Sequence, residues 1–359
     1  MPPTAHAGEA DDADDADGGM DIPGEVALEA ARVLAPGRAP ACLVARPVSG
    51  GCIHPAAHLS VRGSSAPGPP GPYSSLPSEA DPSSRDGGRG KGRPREGFLK
   101  WGPPDATSFP FEAAGLRALA RRGGVRIPEV LGVGDRWLLL EYLPPAPPAP
   151  DSGRRLGRGL ARLHRPLRVD GDLHAPDAGG PGWSEDGWIG TLPQLNTGSQ
   201  ASPGGPDGWA GFWRDFRLAP QTALAHAHLP TPVRHLLERL LDRVVEATEG
   251  WEGDGLSLLH GDLWSGNALI TLGGEPALVD PAVYRGHREV DLAMMELFGG
   301  FAPEVFSSYR ELLPLHPGYS EIRRPLYQLY PLLVHLNLFG TGYLRRVEAA
   351  AKRVLGELG

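Results

Sequence analysis

Residues 260–267 carry the side chains with the clearest chemical potential in this sequence. They read HGDLWSGN and place Asp262 five residues before Asn267. A carboxylate can accept the proton of an attacking hydroxyl, and an amide oxygen can hold a metal ion that bridges phosphates. A second carboxylate, Asp280, follows thirteen residues after Asn267, at the end of the apolar run 277–279, which predicts a buried strand. These residue types suit a reaction in which a hydroxyl attacks a metal-bound phosphate.

The spacing of these three residues is that of a kinase catalytic centre. Asp262 and Asn267 reproduce the D-L-x-x-x-N pattern of a kinase catalytic loop, and Asp280 stands where kinases place their principal magnesium ligand. Pro281 and Ala282 replace the Phe and Gly that follow this aspartate in protein kinases, as in small-molecule kinases. The alternatives are a polar turn after a buried strand for 260–267, and a helix cap or turn for Asp280.

Earlier parts of the chain supply candidates for nucleotide binding. Glycines let backbone N–H groups approach phosphates closely, and a glycine pair lies between two strand-like segments. Lys100 would grip the α- and β-phosphates, and Glu112 on a following helix would be its partner. Each feature alone is also typical of a hairpin turn or a solvated side chain, so the order of the parts carries the prediction. The loop candidates are Gly50, Gly51, Cys52 and Ile53.

The elements that must position these residues form two predicted lobes. Strand-like segments at 42–48, 57–61, 98–101, 130–133 and 137–142 accompany a helix near 111–120. Residues 143–148, LPPAPP, predict a stiff extended connector, and the chain beyond it has mainly helical periodicity. The predicted fold is α+β and bilobal, of the protein-kinase-like type, with a small β-rich N-lobe at 22–143 and a larger, mostly helical C-lobe at 144–359.

Composition indicates folded sequence interrupted by loose segments. The 359 residues include 50 Gly and 39 Pro, yet 40% are hydrophobic and eight are Trp, enough for a core. We predict a disordered acidic tail at 1–21 and a disordered Gly/Pro/Ser-rich insertion at 62–97, since neither can bury enough apolar surface to offset its ordering entropy. The insertion is expected at a hairpin tip, within the N-lobe.

Charge and hydropathy exclude several classes of function. The net charge of −8 argues against a nucleic-acid-binding protein, and no apolar run is long enough for a membrane span. The N-terminal sequence lacks the features of a secretory signal. Cys42 and Cys52 are too few for a disulfide scaffold, so a cytoplasmic protein is expected.

Several segments of the chain resemble the fructosamine kinases, or ketosamine 3-kinases, which are relatives of the aminoglycoside phosphotransferases. The most specific is 280–301, DPAVYRGHREVDLAMMELFGGF, although His287 takes a place that aspartate usually holds. The resemblance spans roughly 48–343, apart from the insertion. Its other segments are 50–53, 188–190 with Gln194 and Asn196, 209–218, 260–267, 327–333 and 335–340.

The resemblance implies ATP- and Mg²⁺-dependent phosphorylation of the O3 hydroxyl of a ketosamine, a fructosamine or ribulosamine formed by glycation of an amine or a protein. The unstable 3-phosphate would then break down and free the amine. Asp262 would act as base, with Asn267 and Asp280 as metal ligands and Lys100, held by Glu112, against the phosphates. The backbone of Glu141, Tyr142 and Leu143 would contact adenine. The alternatives are another small-molecule kinase of this fold, acting on an aminoglycoside or choline, and a non-catalytic pseudokinase.

Further residues near the motifs have two interpretations each. Trp264 is either a platform for the sugar or its protonated amine, or a core residue that packs the loop. Cys52 is either inert or the site of an intermolecular disulfide that makes a redox-dependent homodimer of an otherwise monomeric protein. Asp291 is expected to hydrogen-bond the catalytic-loop backbone. Glu289 and His335 could face the substrate or support its surroundings.

Overall fold

The computed structural model describes residues 22–39, 42–48, 54–62, 96–103, 108–167, 181–197, 208–248 and 254–359. The predicted acidic tail, the glycine pair with Cys52 and Ile53, and residues 63–95 of the predicted insertion lie outside the described residues. None of the described helices is long and apolar enough to cross a membrane.

The N-lobe is built on a five-stranded sheet in which every neighbouring pair is antiparallel. The strand order is β1-β2-β3-β5-β4, so β3 is central and Lys100 lies between Ala56 of β2 and Leu138 of β5. Residues 63–95 connect β2 to its antiparallel neighbour β3. The elements are α1 (Gly24–Leu34), β1 (Leu43–Pro47), β2 (Ala56–Val61), β3 (Glu96–Trp101), α2 (Ser108–Arg122), β4 (Val130–Gly134) and β5 (Trp137–Glu141).

The two faces of this sheet pack against different helices. Successive strand side chains point to opposite faces, so Leu99 and Leu139 join α1 in one apolar cluster. Leu138 and Leu140 face the other way and pack with α2 in the large core that continues into the C-lobe. The sheet therefore carries Lys100 on the side where α2 lies and can bring Glu112 to it.

The C-lobe is mostly helical and contains three two-stranded sheets, β6–β7, β9–β10 and β8–β11. Residues 143–148 have no helix and run along β9, with Ala146 N–H donating to Ile270 O at 2.7 Å. The elements are α3 (Ser152–Leu163), β6 (Gly187–Ile189), β7 (Leu192–Gln194), α4 (Gly208–Phe212), α5 (Ala219–Leu224), α6 (Thr231–Leu241), α7 (Val244–Ala247), β8 (Ser257–Leu259), β9 (Ala268–Ile270), β10 (Pro276–Leu278), β11 (Tyr284–Gly286), α8 (Glu289–Phe298), α9 (Pro303–Leu312), α10 (Arg324–Phe339) and α11 (Leu344–Leu358).

The predicted α+β bilobal architecture is confirmed. The predicted N-lobe strands and the helix near 111–120 are present, with ends that lie within three residues of the predicted ones. The apolar run 277–279 predicted a buried strand, and β10 covers its first two residues, whereas the short strands β6, β7, β9 and β11 were not predicted. Each has only three residues, too few to show an alternating pattern.

Candidate active site

The loop that bears Asp262 is fixed by a carboxylate from α8. Strand β8 is fully buried and ends at Leu259, and the next two backbone N–H groups turn toward Asp291. His260 N–H and Gly261 N–H donate to the Asp291 carboxylate at 2.7 and 3.0 Å. His164 Nε2 lies 3.0 Å from the same carboxylate. Asp291 therefore acts on the loop backbone, as the sequence suggested, and not on a ligand.

The imidazole of His260 connects the two segments that carry the candidate catalytic carboxylates. Its Nε2 lies 2.9 Å from Val279 O, while Asp262 N–H donates to its Nδ1 at 3.4 Å. These partners require a neutral ring protonated at Nε2. Burial lowers the pKa of His260 and keeps the ring neutral, although the nearby carboxylates oppose this. The His260 ring therefore fixes the position of the Asp262 loop relative to the strand end before Asp280.

Gly261 is required for this turn. Its φ is +82°, and a Cβ there would lie 1.9 Å from Ala282 O, a backbone atom that cannot move aside cheaply. We expect Gly261→Ala to unfold the protein at a clearly lower temperature than Gly37→Ala does. Gly37 is the matched control, because it has a φ of +79° but nothing within 4 Å of an added Cβ. Gly37→Ala should therefore lower the free energy of unfolding only by the cost of a left-handed backbone at a residue with a Cβ, about 1–2 kcal/mol. Equal losses in thermal unfolding would contradict the close packing of Gly261.

The three predicted catalytic side chains are brought together at one point. Asn267 Nδ2 donates to Asp262 O at 2.8 Å and to Asp262 Oδ2 at 3.2 Å, and it lies 3.4 Å from Asp280 O. Burial, and then the charge of Asp280, raise the pKa of Asp262 to about 7. Asp280 has a φ of +53°, the one positive value at a non-glycine among the described residues. Strain of this kind persists where the surrounding structure enforces it, often at functional sites.

Lys100 connects the N-lobe to this point. Its Nζ lies 2.9 and 2.8 Å from the two Glu112 carboxylate oxygens and 3.2 Å from Asp280 Oδ1. Lys100 and Glu112 are 4% and 8% exposed, so each charge depends on the other for compensation. Burial raises the pKa of Glu112, and the Lys100 ammonium opposes that shift. The predicted Lys–Glu pair thus exists in the structure and reaches the predicted metal ligand.

An apolar cleft of about 850 Å³ lies where the nucleotide base is predicted. Glu141, Tyr142 and Leu143, the residues predicted to contact adenine, are among those that line it. The carboxylate of Glu141 points to Arg126 Nη2 at 2.5 Å, so this residue has only its backbone to offer a base. The cleft is otherwise lined mainly by apolar side chains, among them Val48, Phe98, Leu140, Leu269 and Val279.

A second cleft, of about 600 Å³, contains Lys100, Asp262 and the half-buried Trp264. Asn267 and Asp280 line both clefts, so the two meet at the predicted metal ligands. Val48 lines the first cleft and His54 the second. Val48 and His54 flank the predicted glycine loop in the sequence, and the loop itself is not among the described residues.

Some residues of the second cleft were not in the predicted site. His54 follows the glycine loop and contacts Ser108 Oγ through Nε2 at 3.2 Å, and its position after Ile53 was the available sign. Trp188 was recognised only as part of a family-like segment.

Glu289 is buried against Arg323, at 2.7 and 3.0 Å, and so supports the fold. His335 Nδ1 contacts Pro331 O at 2.7 Å within α10, and His335 is not among the described residues that line either cleft.

The donor set fits a magnesium ion and a nucleotide. Mg²⁺ prefers oxygen ligands, and Asp280 offers a carboxylate on the surface of both clefts. The Asn267 amide nitrogen is directed at Asp262, which leaves its carbonyl oxygen as the ligand atom. The apolar cleft beside them suits a base, and Lys100 supplies positive charge in the second cleft.

The Asp291 contacts lead to a pH-dependent prediction. Burial raises the pKa of Asp291, but the His164 contact and the Gly261 N–H outweigh it and hold that pKa below its ordinary value. The stability that this carboxylate adds is then fully present above pH about 4 and is lost as the pH falls through the lowered pKa. Asp291→Asn should lower the free energy of unfolding by about 1.5–3 kcal/mol at pH 7, which is what a hydrogen bond to a charged group contributes. The cost should shrink below pH about 4.

Urea unfolding of Asp291→Asn from pH 3 to 8 measures this effect. Asp151→Asn is the control, because Asp151 pairs with Arg155 at an exposed helix start. Asp151→Asn should lower the free energy of unfolding by less than about 1 kcal/mol at every pH. A cost for Asp291→Asn that is constant down to pH 3 would contradict the account.

The fold and the site define a phosphotransferase of the protein-kinase-like class that acts on a hydroxyl. A family model described as fructosamine kinase matches residues 92–357, and the chain belongs to that family. The predicted family and fold class are both confirmed.

Individual relatives agree with this assignment. A Synechocystis protein named probable ketoamine kinase is 38% identical over 257 residues, which cover 69% of this chain and 78% of that protein. A rice protein named protein-ribulosamine 3-kinase, chloroplastic, is 35% identical over 66% of each chain. A crystal structure from Thermobifida fusca, whose name gives fructosamine-3-kinase as its expected activity, has a TM-score of 0.70 at 28% identity. It covers 93% of this chain and 99% of that one.

Proposed function

We propose that this protein transfers the γ-phosphoryl group of ATP to the O3 hydroxyl of a ketosamine, a fructosamine or ribulosamine attached to an amine or a protein. One observation carries the proposal: an apolar cleft and an acceptor cleft meet at Asn267 and Asp280, with Asp262 in the acceptor cleft. Family membership and the relatives named as ketoamine and ribulosamine kinases support the acceptor class.

The proposed roles follow from the positions of the side chains. Asp262 orients the acceptor hydroxyl and takes its proton, and its raised pKa of about 7 suits a general base near neutral pH. Lys100, held by Glu112, offsets phosphate charge. Asn267 and Asp280 hold Mg²⁺, which when bound neutralises charge on the transferred phosphoryl group. The glycine loop at 50–53 remains the proposed cradle for the phosphates.

The acceptor side has an aromatic component. Trp264 is half-buried and lines the cleft, and its ring lies over Gly266, where an added Cβ would come within 2.2 Å of it. We assign the indole to the sugar or its protonated amine, because Trp264 lines the cleft and is partly exposed there. Phosphorylation at O3 would make the sugar unstable and release the amine, a deglycation repair activity. We also propose that the protein is cytoplasmic and monomeric. Oxidation would link two chains into a dimer through Cys52.

ADP release in the presence of ATP and Mg²⁺ tests the proposed function. Ribulose-lysine, fructose-lysine and kanamycin are compared as acceptors, with Asp262→Ala as the control. Turnover of a ketosamine that disappears in the variant is expected, and the two sugars are then ranked. Activity on kanamycin alone would move the protein to the antibiotic kinases. No activity on any of the three would overturn the proposed acceptor class.

A further inference from the structure

The β6–β7 hairpin presents Trp188 to the cleft that contains Asp262. Trp188, Ile189 and Gly190 line that cleft together with Trp264. Gly187 and Ile189 are buried whereas Trp188 is half-buried, as the alternation of strand side chains requires. Trp188 is therefore the larger and more exposed of the two hairpin side chains, Trp188 and Ile189, that line the cleft.

Two supports fix this hairpin against the catalytic segments. Gln194, paired with Gly187 across the hairpin, donates from Nε2 to Ala282 O at 3.0 Å and accepts from Tyr330 OH at 3.0 Å. Gly187 lies against the Phe111 ring, where an added Cβ would come within 2.2 Å of it. Ala282 follows Asp280 by two residues, so the hairpin is anchored directly beside the predicted metal ligand. A side chain held in this way is preorganised for binding.

The charges of the cleft favour a cationic ligand beside the indoles. Among the described residues that line it, Lys100 is the one lysine or arginine, and it is engaged by Glu112 and Asp280. Asp262 contributes a carboxylate. The face of an indole attracts cations more strongly than any other aromatic side chain does. The region with Trp188 and Trp264 is thus suited to an ammonium group, because the positive charge of Lys100 in this cleft is already paired with two carboxylates.

We propose that Trp188 and Trp264 form an aromatic pair that binds the protonated amine of the ketosamine and makes Trp188 a specificity-determining residue. This inference rests on the proposed function. When the O3 hydroxyl lies at Asp262, the amine on C1 of the same sugar is only a few bonds away and must lie within this cleft. Trp188 thereby distinguishes a ketosamine from a neutral ketose with the same hydroxyl groups.

A pair of matched acceptors tests the assignment. In 1-deoxy-1-methylaminofructose the C1 substituent is an ammonium, whereas in 1-O-methylfructose a neutral ether oxygen replaces it. Trp188→Leu should lower kcat/KM for the ammonium acceptor about 3- to 30-fold more than for the ether. Trp188→Phe, which keeps an aromatic face, should retain most of the wild-type preference. Trp188→Met supplies a second non-aromatic variant should Trp188→Leu fail to fold.

The control separates charge recognition from loosening of the hairpin. Leu192 pairs with Ile189 and is not among the residues that line the cleft. Leu192→Ala should therefore lower kcat/KM for both acceptors equally. Equal losses on both acceptors in Trp188→Leu or Trp188→Met would overturn the inference and leave the ketosamine kinase activity standing. A wild-type enzyme that phosphorylates neither acceptor would instead overturn the proposed function, and the inference with it.

Discussion

Asp262→Asn should lower kcat by about 100- to 10,000-fold, the usual contribution of a general base. Asparagine has nearly the same shape but cannot accept the hydroxyl proton. The Asp262 carboxylate lies in the acceptor cleft and is not among the residues that line the base cleft, so the KM for ATP should stay nearly unchanged. Steady-state kinetics with a ketosamine acceptor measure both quantities.

The matched control for this variant is Asp215→Asn. Asp215 pairs with Arg214 on the surface and is half exposed, so its loss should alter neither constant. A kcat for Asp262→Asn within about tenfold of wild type, below the range of general-base catalysis, would remove Asp262 from its proposed role. A large rise in the KM for ATP would instead make it a nucleotide-binding residue.

Lys100→Met should cost both activity and stability. Loss of an electrostatic donor at a phosphoryl group lowers kcat/KM by about 100- to 1,000-fold. Glu112 would be left buried without its counter-charge, and breaking a buried pair costs about 3–5 kcal/mol of unfolding free energy. Urea denaturation and steady-state kinetics, performed on the same preparation, measure the two losses.

A double variant separates the two effects. Lys100→Met with Glu112→Leu removes both charges, so most of the stability should return while the activity stays low. Lys352→Met is the control, because Lys352 pairs with Glu348 on an exposed helix and should cost less than about 1 kcal/mol. If the double variant recovered activity together with stability, Lys100 would have only a structural role.

The sequence predicted the parts of the site that depend on local spacing. Asp262, Asn267 and Asp280 lie within one short stretch, so the spacing that chemistry requires was visible in the chain itself. Lys100 and Glu112 were identified from their order before that stretch, and the structure places their charged groups within 2.9 Å. The N-lobe strands have five or six residues each, whereas the short strands of the C-lobe have three.

Features that depend on tertiary contacts were not predictable in this way. The His260 ring links two loops through Val279 O, and nothing in the spacing of histidines indicates it. Trp188 lies on a three-residue strand, and the strand's place beside Asp280 depends on the hydrogen bond from Gln194 to Ala282 O, 88 residues later in the chain. The buried contacts of Asp254 with His287 and Arg288, at 2.8 and 2.9 Å, likewise join distant segments.

The position of the phosphate in the product tests the central claim most directly. Fructose-lysine labelled with ¹³C at C3 is incubated with ATP, Mg²⁺ and the enzyme, and the product is followed by ³¹P and ¹³C NMR. We predict a phosphorus coupling to the labelled carbon that appears with wild type, is absent with Asp262→Asn, and is followed by release of lysine. Phosphate on another oxygen of the sugar, or coupling at C3 that persists in Asp262→Asn, would contradict the account.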